Sequence, residues 1–219
     1  RLMQRVVEVG GTLSGEHGIG NDKTAYMPLI FGPETLRLQL AVPRVFNPRH
    51  QLNPLKIFAD RRFTADGEKA AEGATAAADV AAAPRDPRCF APFLDVIDGI
   101  VCVPADVTGE GIHRQVAPHG LRFPLLVDTR VPLCDLVAAS GYASASSRFG
   151  PLCDNIVGMN WQLPSGRVIR LGERVVKTTT GYDLFRFLLG TGRRFGRPLD
   201  YVLRLRTDSG ATFQTDLSG

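Results

Sequence analysis

The sequence predicts an α+β fold, on three observations. The stretch DNIVGMNWQLPSGRVIRL sets two apolar-rich runs on either side of Pro164-Ser165-Gly166, the pattern of a β-hairpin. The runs GIVCVP and YVLRLRT have the length and apolar content of further strands. Between them, GYDLFRFLLGTG spaces Leu184, Phe185, Leu188 and Leu189 along one helical face. Strands and helices mixed with a hairpin argue for α+β layers.

The elements follow in chain order. RLMQRVVEVG is a short apolar run that ends in Gly10-Gly11. FGPETLRLQLAVPRVF matches helix and strand templates alike, with Leu36, Leu38, Leu40 and Val42 alternating with more polar residues. Pro33 and Glu34 suit the first turn of a helix, whereas Pro43 is expected to kink or stop it. Two Asn-Pro steps in NPRHQLNPLKIF signal turns. Ten alanines then fall between Arg61 and Arg85 without the large apolar residues that would anchor a helical face. That stretch is read as a linker and divides the chain into residues 1–60, a linker 61–88, a second unit 89–209 and a tail 210–219. In the second unit GIVCVP is a strand ended by Pro104, and GEGIHRQVAPHG is a short helix that ends near Gly120. The hairpin, the helix before Gly190 and the strand YVLRLRT complete it, with Val202, Leu203 and Leu205 set among arginines.

Composition narrows the function classes. A chain of 219 residues, 44% hydrophobic and 22% charged, is that of a globular protein with a sizeable core. No apolar run has the length of a membrane span. The opening residues carry neither an initiator Met nor the apolar core of a signal peptide, as expected of a chain that begins within a longer polypeptide. The formal charge of +4 favours anionic partners weakly, but no zinc-finger spacing or aromatic platform supports nucleic acid. Arg193, Arg194 and Arg197 form the densest basic cluster, read either as a solvated loop or as a contact for a phosphate or a partner. Cys89, Cys102, Cys134 and Cys153 include no CxxC pair, so free thiols and a reducing cytoplasm are expected. Neither a GxGxxG turn after a strand nor a GxxxxGK[ST] loop is present.

The most chemically suggestive stretch is GGTLSGEHGIG, Gly10 to Gly20, which holds Glu16 and His17 between glycines. The carboxylate has the chemistry of an oxygen ligand for a divalent metal, and the imidazole that of a ligand or a proton carrier near neutral pH. Adjacent residues usually point apart, so separate roles suit them better than a shared ion. One carboxylate and one imidazole leave a zinc site incomplete. On the residues alone, a solvated Glu–His pair in a glycine-rich turn and a catalytic or metal-linked pair both remain open. His113, His119 and Trp161 read as surface or core residues.

GGTLSGEHGIGNDKTAYMPLIFGPE followed by FNPRHQLNPLKIF closely resembles the C-terminal end of the FAD-linked 2-hydroxy-acid dehydrogenases. That family includes glycolate oxidase flavoprotein subunits, D-lactate dehydrogenase and D-2-hydroxyglutarate dehydrogenase. The resemblance implies that residues 1–60 are the tail of a cap domain, with Glu16 a metal ligand, commonly to zinc, and His17 the catalytic base on the substrate hydroxyl while hydride leaves for flavin N5. The family's remaining metal ligands are two upstream histidines, and no histidine precedes His17 in this chain.

VCVPADVTGEGIHRQVAPHGLRFPL and RFGPLCDNIVGMNWQLPSGRVIRLGERVVKTTTGYDLFRFLLGTGRRFG resemble another part of the same superfamily, the second lobe of a PCMH-type FAD-binding domain. This implies FAD as cofactor, with Arg148, Gly150, Asp154, Lys177, Gly181, Tyr182 and Asp183 on its side of the lobe. The RGGGT-type pyrophosphate loop of the first lobe is not found in the sequence, and the family's GSxGx[LF]G has become GTGRRFG. A cap tail running into a flavin lobe suits a fusion of adjacent oxidase subunits. The implied function is therefore an FAD-linked oxidoreductase subunit acting on a small 2-hydroxy acid beside another flavoprotein or an iron–sulfur subunit. The other reading is a catalytically degenerate structural subunit that packs against a true flavoprotein. A yellow protein separates the first from the second.

Overall fold

The computed structural model describes residues 1–49, 51–53, 56–58, 85–124, 130–140, 149–191 and 193–207. His50, Arg148, nearly all of the Ala-rich linker and the tail 210–219 lie outside the described residues.

An antiparallel sheet organises the second unit. Its strands are β1 (Phe93–Asp95), β2 (Ile100–Pro104), β4 (Ile156–Gln162), β5 (Val168–Gly172) and β6 (Arg197–Arg204), in the spatial order β1-β2-β6-β4-β5. A two-stranded ribbon pairs β3 (Leu121–Arg122) with β7 (Arg206–Thr207). Three helices accompany them: α4 (Gly109–Val116), α5 (Leu133–Ser140) and α6 (Leu184–Gly190). The described residues thus form a mixed α+β fold with antiparallel sheets.

Period two explains the sheet's two apolar faces. Val101 and Val103 of β2 join Tyr201 and Leu203 of β6 in the main core, where Ile112 and Val116 of α4, Leu133 and Val137 of α5, and Phe185, Leu188 and Leu189 of α6 cover them. Ile100 and Cys102 point the other way, against Val202 and Phe90. Trp161 is 1% exposed and belongs to the main core. Its indole Nε1 donates to the Phe195 carbonyl at 3.0 Å, which satisfies the ring's one polar atom.

Local signals set the element ends. Thr108 caps α4 by accepting from Gly111 N at 3.1 Å, and Gly120 closes the following turn at φ +66°. Asp183 caps α6 through Arg186 N at 3.0 Å. The β4–β5 hairpin closes at the predicted turn, where Gly166 has φ +81° and its N–H donates to Leu163 O at 2.8 Å. On the second face Asn160, fully buried, donates to Phe90 O at 2.8 Å and accepts from Phe90 N at 2.9 Å. Asp86 N donates to Val168 O at 3.0 Å, so residues 85–90 run along the sheet rather than away from it.

Residues 1–58 form three helices, α1 (Leu2–Glu8), α2 (Met27–Ile30) and α3 (Pro33–Phe46), around a smaller core of Leu13, Ile19, Met27, Ile30, Phe31 and Leu36. The segment whose periodicity fits both templates is helical. Of the two outcomes expected at Pro43, a kink or a stop, the stop does not occur: the helix continues through Pro43 to Phe46. Proline forfeits the bond that would reach back to the Gln39 carbonyl, one bond in the last turn. Asn47 then ends the helix, its N–H donating to Pro43 O at 2.7 Å. Among the described residues no helix is long and apolar enough to cross a membrane.

Candidate functional site

The glycine-rich loop of the first unit docks on residues 173–183 of the second. Gly10, Gly18 and Gly20 take φ of +88°, +73° and +60°, which lets the chain turn tightly there. The loop then presents hydroxyls and carbonyls to the threonines of VVKTTTGYD. Ser14 O accepts from Thr179 N at 2.8 Å, and Gly18 N donates to Thr179 Oγ1 at 3.1 Å. Thr12 Oγ1 lies 2.9 Å from Thr178 Oγ1 and 2.8 Å from Thr180 Oγ1. Glu16 Oε1 accepts from Lys177 Nζ at 2.5 Å, although both side chains are about two-thirds exposed.

Helix α3 makes the second part of the contact. Gln39 is 1% exposed and engages Tyr182 through both of its amide atoms. Thr35 Oγ1 donates to Arg170 O at 3.3 Å, and Glu34 accepts from Arg167 Nη1 at 2.5 Å. The Phe58 and Tyr182 rings lie 6.4 Å apart.

Glu173 sits beneath this junction, 2% exposed. Its Oε1 accepts from Thr178 Oγ1 at 2.6 Å and from Thr12 Oγ1 at 3.1 Å, while Oε2 is buried without a hydrogen-bond partner among the described residues. Burial pushes its carboxyl above the usual range, against the opposing pull of the Thr178 and Thr12 hydroxyls and the Arg170 charge. Burial lowers Arg170 in turn, and its guanidinium lies 4.9 Å from the centre of the Phe90 ring.

A cavity of about 190 Å³ opens at the junction, lined in part by Gln39, Glu173, Lys177, Gly181, Tyr182 and Asp183. The structure therefore brings together four of the expected cofactor-side residues, Lys177, Gly181, Tyr182 and Asp183. Glu16 reaches the same lip through Lys177. His17 is exposed and makes no hydrogen bond among the described residues. Gly150 and Asp154 stand outside the cavity lining; Gly150 turns at φ +74° beside the Asp154 carboxylate. Asp183 has a structural task as the cap of α6, and it also pairs with Arg186 at 2.6 Å.

A catalytic zinc needs about three protein ligands, and among the described residues no group of three or more His, Cys, Asp or Glu side chains is gathered to hold one. Glu16 instead faces the Lys177 ammonium, so the Glu16–His17 pair does not fit a zinc site. Pockets for ligands of drug or cofactor size run to about 300–1,000 Å³, and the cavity at the junction is smaller than that. Its one lysine is paired, and Gln39 fills the space above Gly181. The described residues at this cavity do not fit a whole FAD.

Glu173, Gln39 and the threonine run are the site residues that sequence reasoning missed. Gln39 had a visible signal, a polar residue beside Leu36 and Leu40 in an apolar-rich helix. The run Thr178-Thr179-Thr180 had another, three hydroxyls that need partners once covered. Glu173 had none, because only the tertiary contact buries it.

Residues 1–57 match the family model for FAD linked oxidases, C-terminal domain. The chain is 28% identical over 113 residues to a D-lactate dehydrogenase [cytochrome], mitochondrial, from Arabidopsis thaliana, covering 52% of this chain and 20% of that protein. It is 38% identical over 58 residues to the glycolate oxidase subunit GlcD of Bacillus subtilis, and 42% identical over 57 residues to a D-lactate dehydrogenase of Anaerostipes hadrus. Each of these two matches covers 26% of this chain and 12% of the relative. The chain thus spans about a fifth or less of the length of these relatives. The Arabidopsis match, at 113 residues, is longer than the segment matched by the family model, so similarity extends beyond that segment. These matches show family-level similarity between parts of this chain and FAD-linked dehydrogenase and oxidase subunits.

Proposed function

We propose that this chain is an FAD-linked oxidoreductase subunit of the glycolate oxidase or D-2-hydroxy-acid dehydrogenase type, and that its residues supply one wall of a flavin site completed by further polypeptide. The observation that carries this reading is the docking of the oxidase-like segment 1–57 on the VVKTTTGYD turn, through Thr12, Ser14, Glu16 and Gln39. In this reading residues 1–60 are a cap-domain tail and 89–209 a PCMH-type second lobe. Lys177, Gly181, Tyr182 and Asp183 face the cofactor, and Arg148, Gly150 and Asp154 are the remaining cofactor-binding candidates. Glu16 orients Lys177, and His17 stands exposed at the edge of the junction as the candidate base. A small 2-hydroxy acid is the substrate class, another flavoprotein or an iron–sulfur subunit the partner, and the cytoplasm the location. No step of hydride transfer is assigned to the described residues, because they do not assemble a complete site.

The small cavity and the Gln39 clamp favour a second reading, a structural subunit that keeps the lobe to pack against a true flavoprotein. Gel filtration of the purified chain with excess FAD, with and without a glycolate-oxidase-type flavoprotein, separates the two. Flavin absorbance that co-elutes with the chain, alone or in the complex beyond the partner's own content, supports the first. A colourless chain that still binds the partner supports the second.

A further inference from the structure

The arginine cluster at the end of α6 borders a second cavity, of about 270 Å³, which shares no lining residue with the first. Its walls are Ala105, Asp106, Cys134, Arg193, Arg197, Pro198 and Leu199. We propose that this cavity is a binding site for a small oxyanion, a phosphate or carboxylate group held between the guanidinium groups of Arg193 and Arg197.

The hydrogen bonds of the two arginines leave donors on each uncommitted among the described residues. Arg193 directs Nη2 to Cys134 Sγ at 3.2 Å and to the Asp135 carboxylate. Its Nε and Nη1 make no hydrogen bond among the described residues. Arg197 uses Nε on Gln162 Oε1 at 2.8 Å, and its two terminal nitrogens make none among the described residues. Arg197 thus keeps its Nη1/Nη2 edge for a ligand, whereas Arg193, whose Nη2 belongs to both of its bidentate edges, offers Nε and Nη1 as single donors. A guanidinium offers its donors in a planar fork, so an oxyanion with two or more oxygens bonds both groups. The carboxylates of Asp106 and Asp135 oppose any anion there, and this favours a ligand that makes directed hydrogen bonds over a diffuse ion such as chloride. The volume suits a small ion with its water and is too small for a dinucleotide.

The molecule carries two reporters of this site. The Cys134 thiol lies on the cavity wall, and the chain's one tryptophan, Trp161, bonds the backbone of Phe195 between the two arginines. The test labels the full chain with iodoacetamide and measures the rate at Cys134 by mass spectrometry, with Cys89, a half-buried thiol outside the cavity, as the internal comparison. Sodium phosphate, sodium acetate and sodium chloride are titrated at constant ionic strength, and Trp161 emission is followed in parallel. The proposal expects phosphate or acetate to slow Cys134 labelling several-fold and saturably, without slowing Cys89, and to shift Trp161 emission over the same range. Protection by phosphate alone assigns a phosphate group; protection by acetate alone assigns a carboxylate. Arg193→Gln and Arg197→Gln each abolish the effect, and Arg197→Lys retains part of it. Equal behaviour of all three salts in the wild-type chain overturns the proposal, and that comparison holds whether or not the variants fold.

Discussion

Gln39 holds Tyr182 by both ends of one peptide residue: Oε1 accepts from Tyr182 N at 2.6 Å, and Nε2 donates to Tyr182 O at 2.8 Å. A side-chain amide is the only group of that size that both accepts and donates in this geometry. It ties helix α3 of the oxidase-like segment to the turn at the head of α6. Gly181 makes room for it: a Cβ there would come within 3.0 Å of Gln39 Oε1, and the backbone has φ +78°.

Gln39→Leu keeps most of the volume and removes both bonds, leaving the part-buried Tyr182 N–H unsatisfied while its carbonyl keeps the bond from Leu184 N at 2.9 Å. The expected loss is about 1–3 kcal/mol, the cost of one orphaned group. Urea unfolding of the full chain measures it, and an unchanged midpoint would show that the junction does not contribute to folding.

The buried Glu173 makes stability fall as pH rises. In the unfolded chain a glutamate titrates near roughly 4.3, and in the fold burial raises it. The folded state therefore binds the extra proton. The stabilisation is fully present below the unfolded value and disappears as pH climbs through the folded one. Glu173→Gln mimics the protonated carboxyl and should flatten that part of the profile in urea titrations at successive pH values. A wild-type profile that rises over the same interval would contradict this assignment.

Gly196→Ala should be severely destabilising. At φ +126° an added Cβ would fall on the Gln162 carbonyl oxygen, far inside van der Waals contact, and 2.5 Å from Trp161 Nε1. Left-handed strain and the clash together predict a loss of about 2–4 kcal/mol. Trp161 emission should also move toward that of a solvated indole as the Phe195 bond breaks.

Lys177→Ala and Glu16→Ala are expected to leave stability nearly unchanged. Their ion pair is 67% and 66% exposed, a setting in which such pairs contribute at most about 1 kcal/mol. Thermal unfolding at low and high salt measures the difference. A large loss would mean that this pair, rather than the threonine and Gln39 contacts, holds the loop.

Much of the second unit was legible in the chain because its signals are local. Pro164-Ser165-Gly166 fixed a hairpin, Asp183 and Gly120 marked helix ends, and the spacing of Phe185, Leu188 and Leu189 named the buried face of α6. Periodicity could not choose between helix and strand for residues 33–46, since leucines at alternate positions serve either template until a core selects one. The candidate site was legible in part. Lys177, Gly181, Tyr182 and Asp183 meet at one cavity, while Gly150 and Asp154 stand apart from it.

By itself the sequence determined the α+β class, the turns, the helix caps and the kinship carried by GGTLSGEHGIG, because each depends on residues near one another in the chain. Only the tertiary structure decided that Glu173 is buried with one oxygen unpaired among the described residues, that Glu16 pairs with Lys177, and that Gln39 closes over Gly181. Those outcomes join residues more than 130 positions apart, as in the bonds from Thr12 to Glu173, Glu16 to Lys177 and Gln39 to Tyr182. Burial and pairing at such distances depend on how two units pack, and no local pattern encodes that.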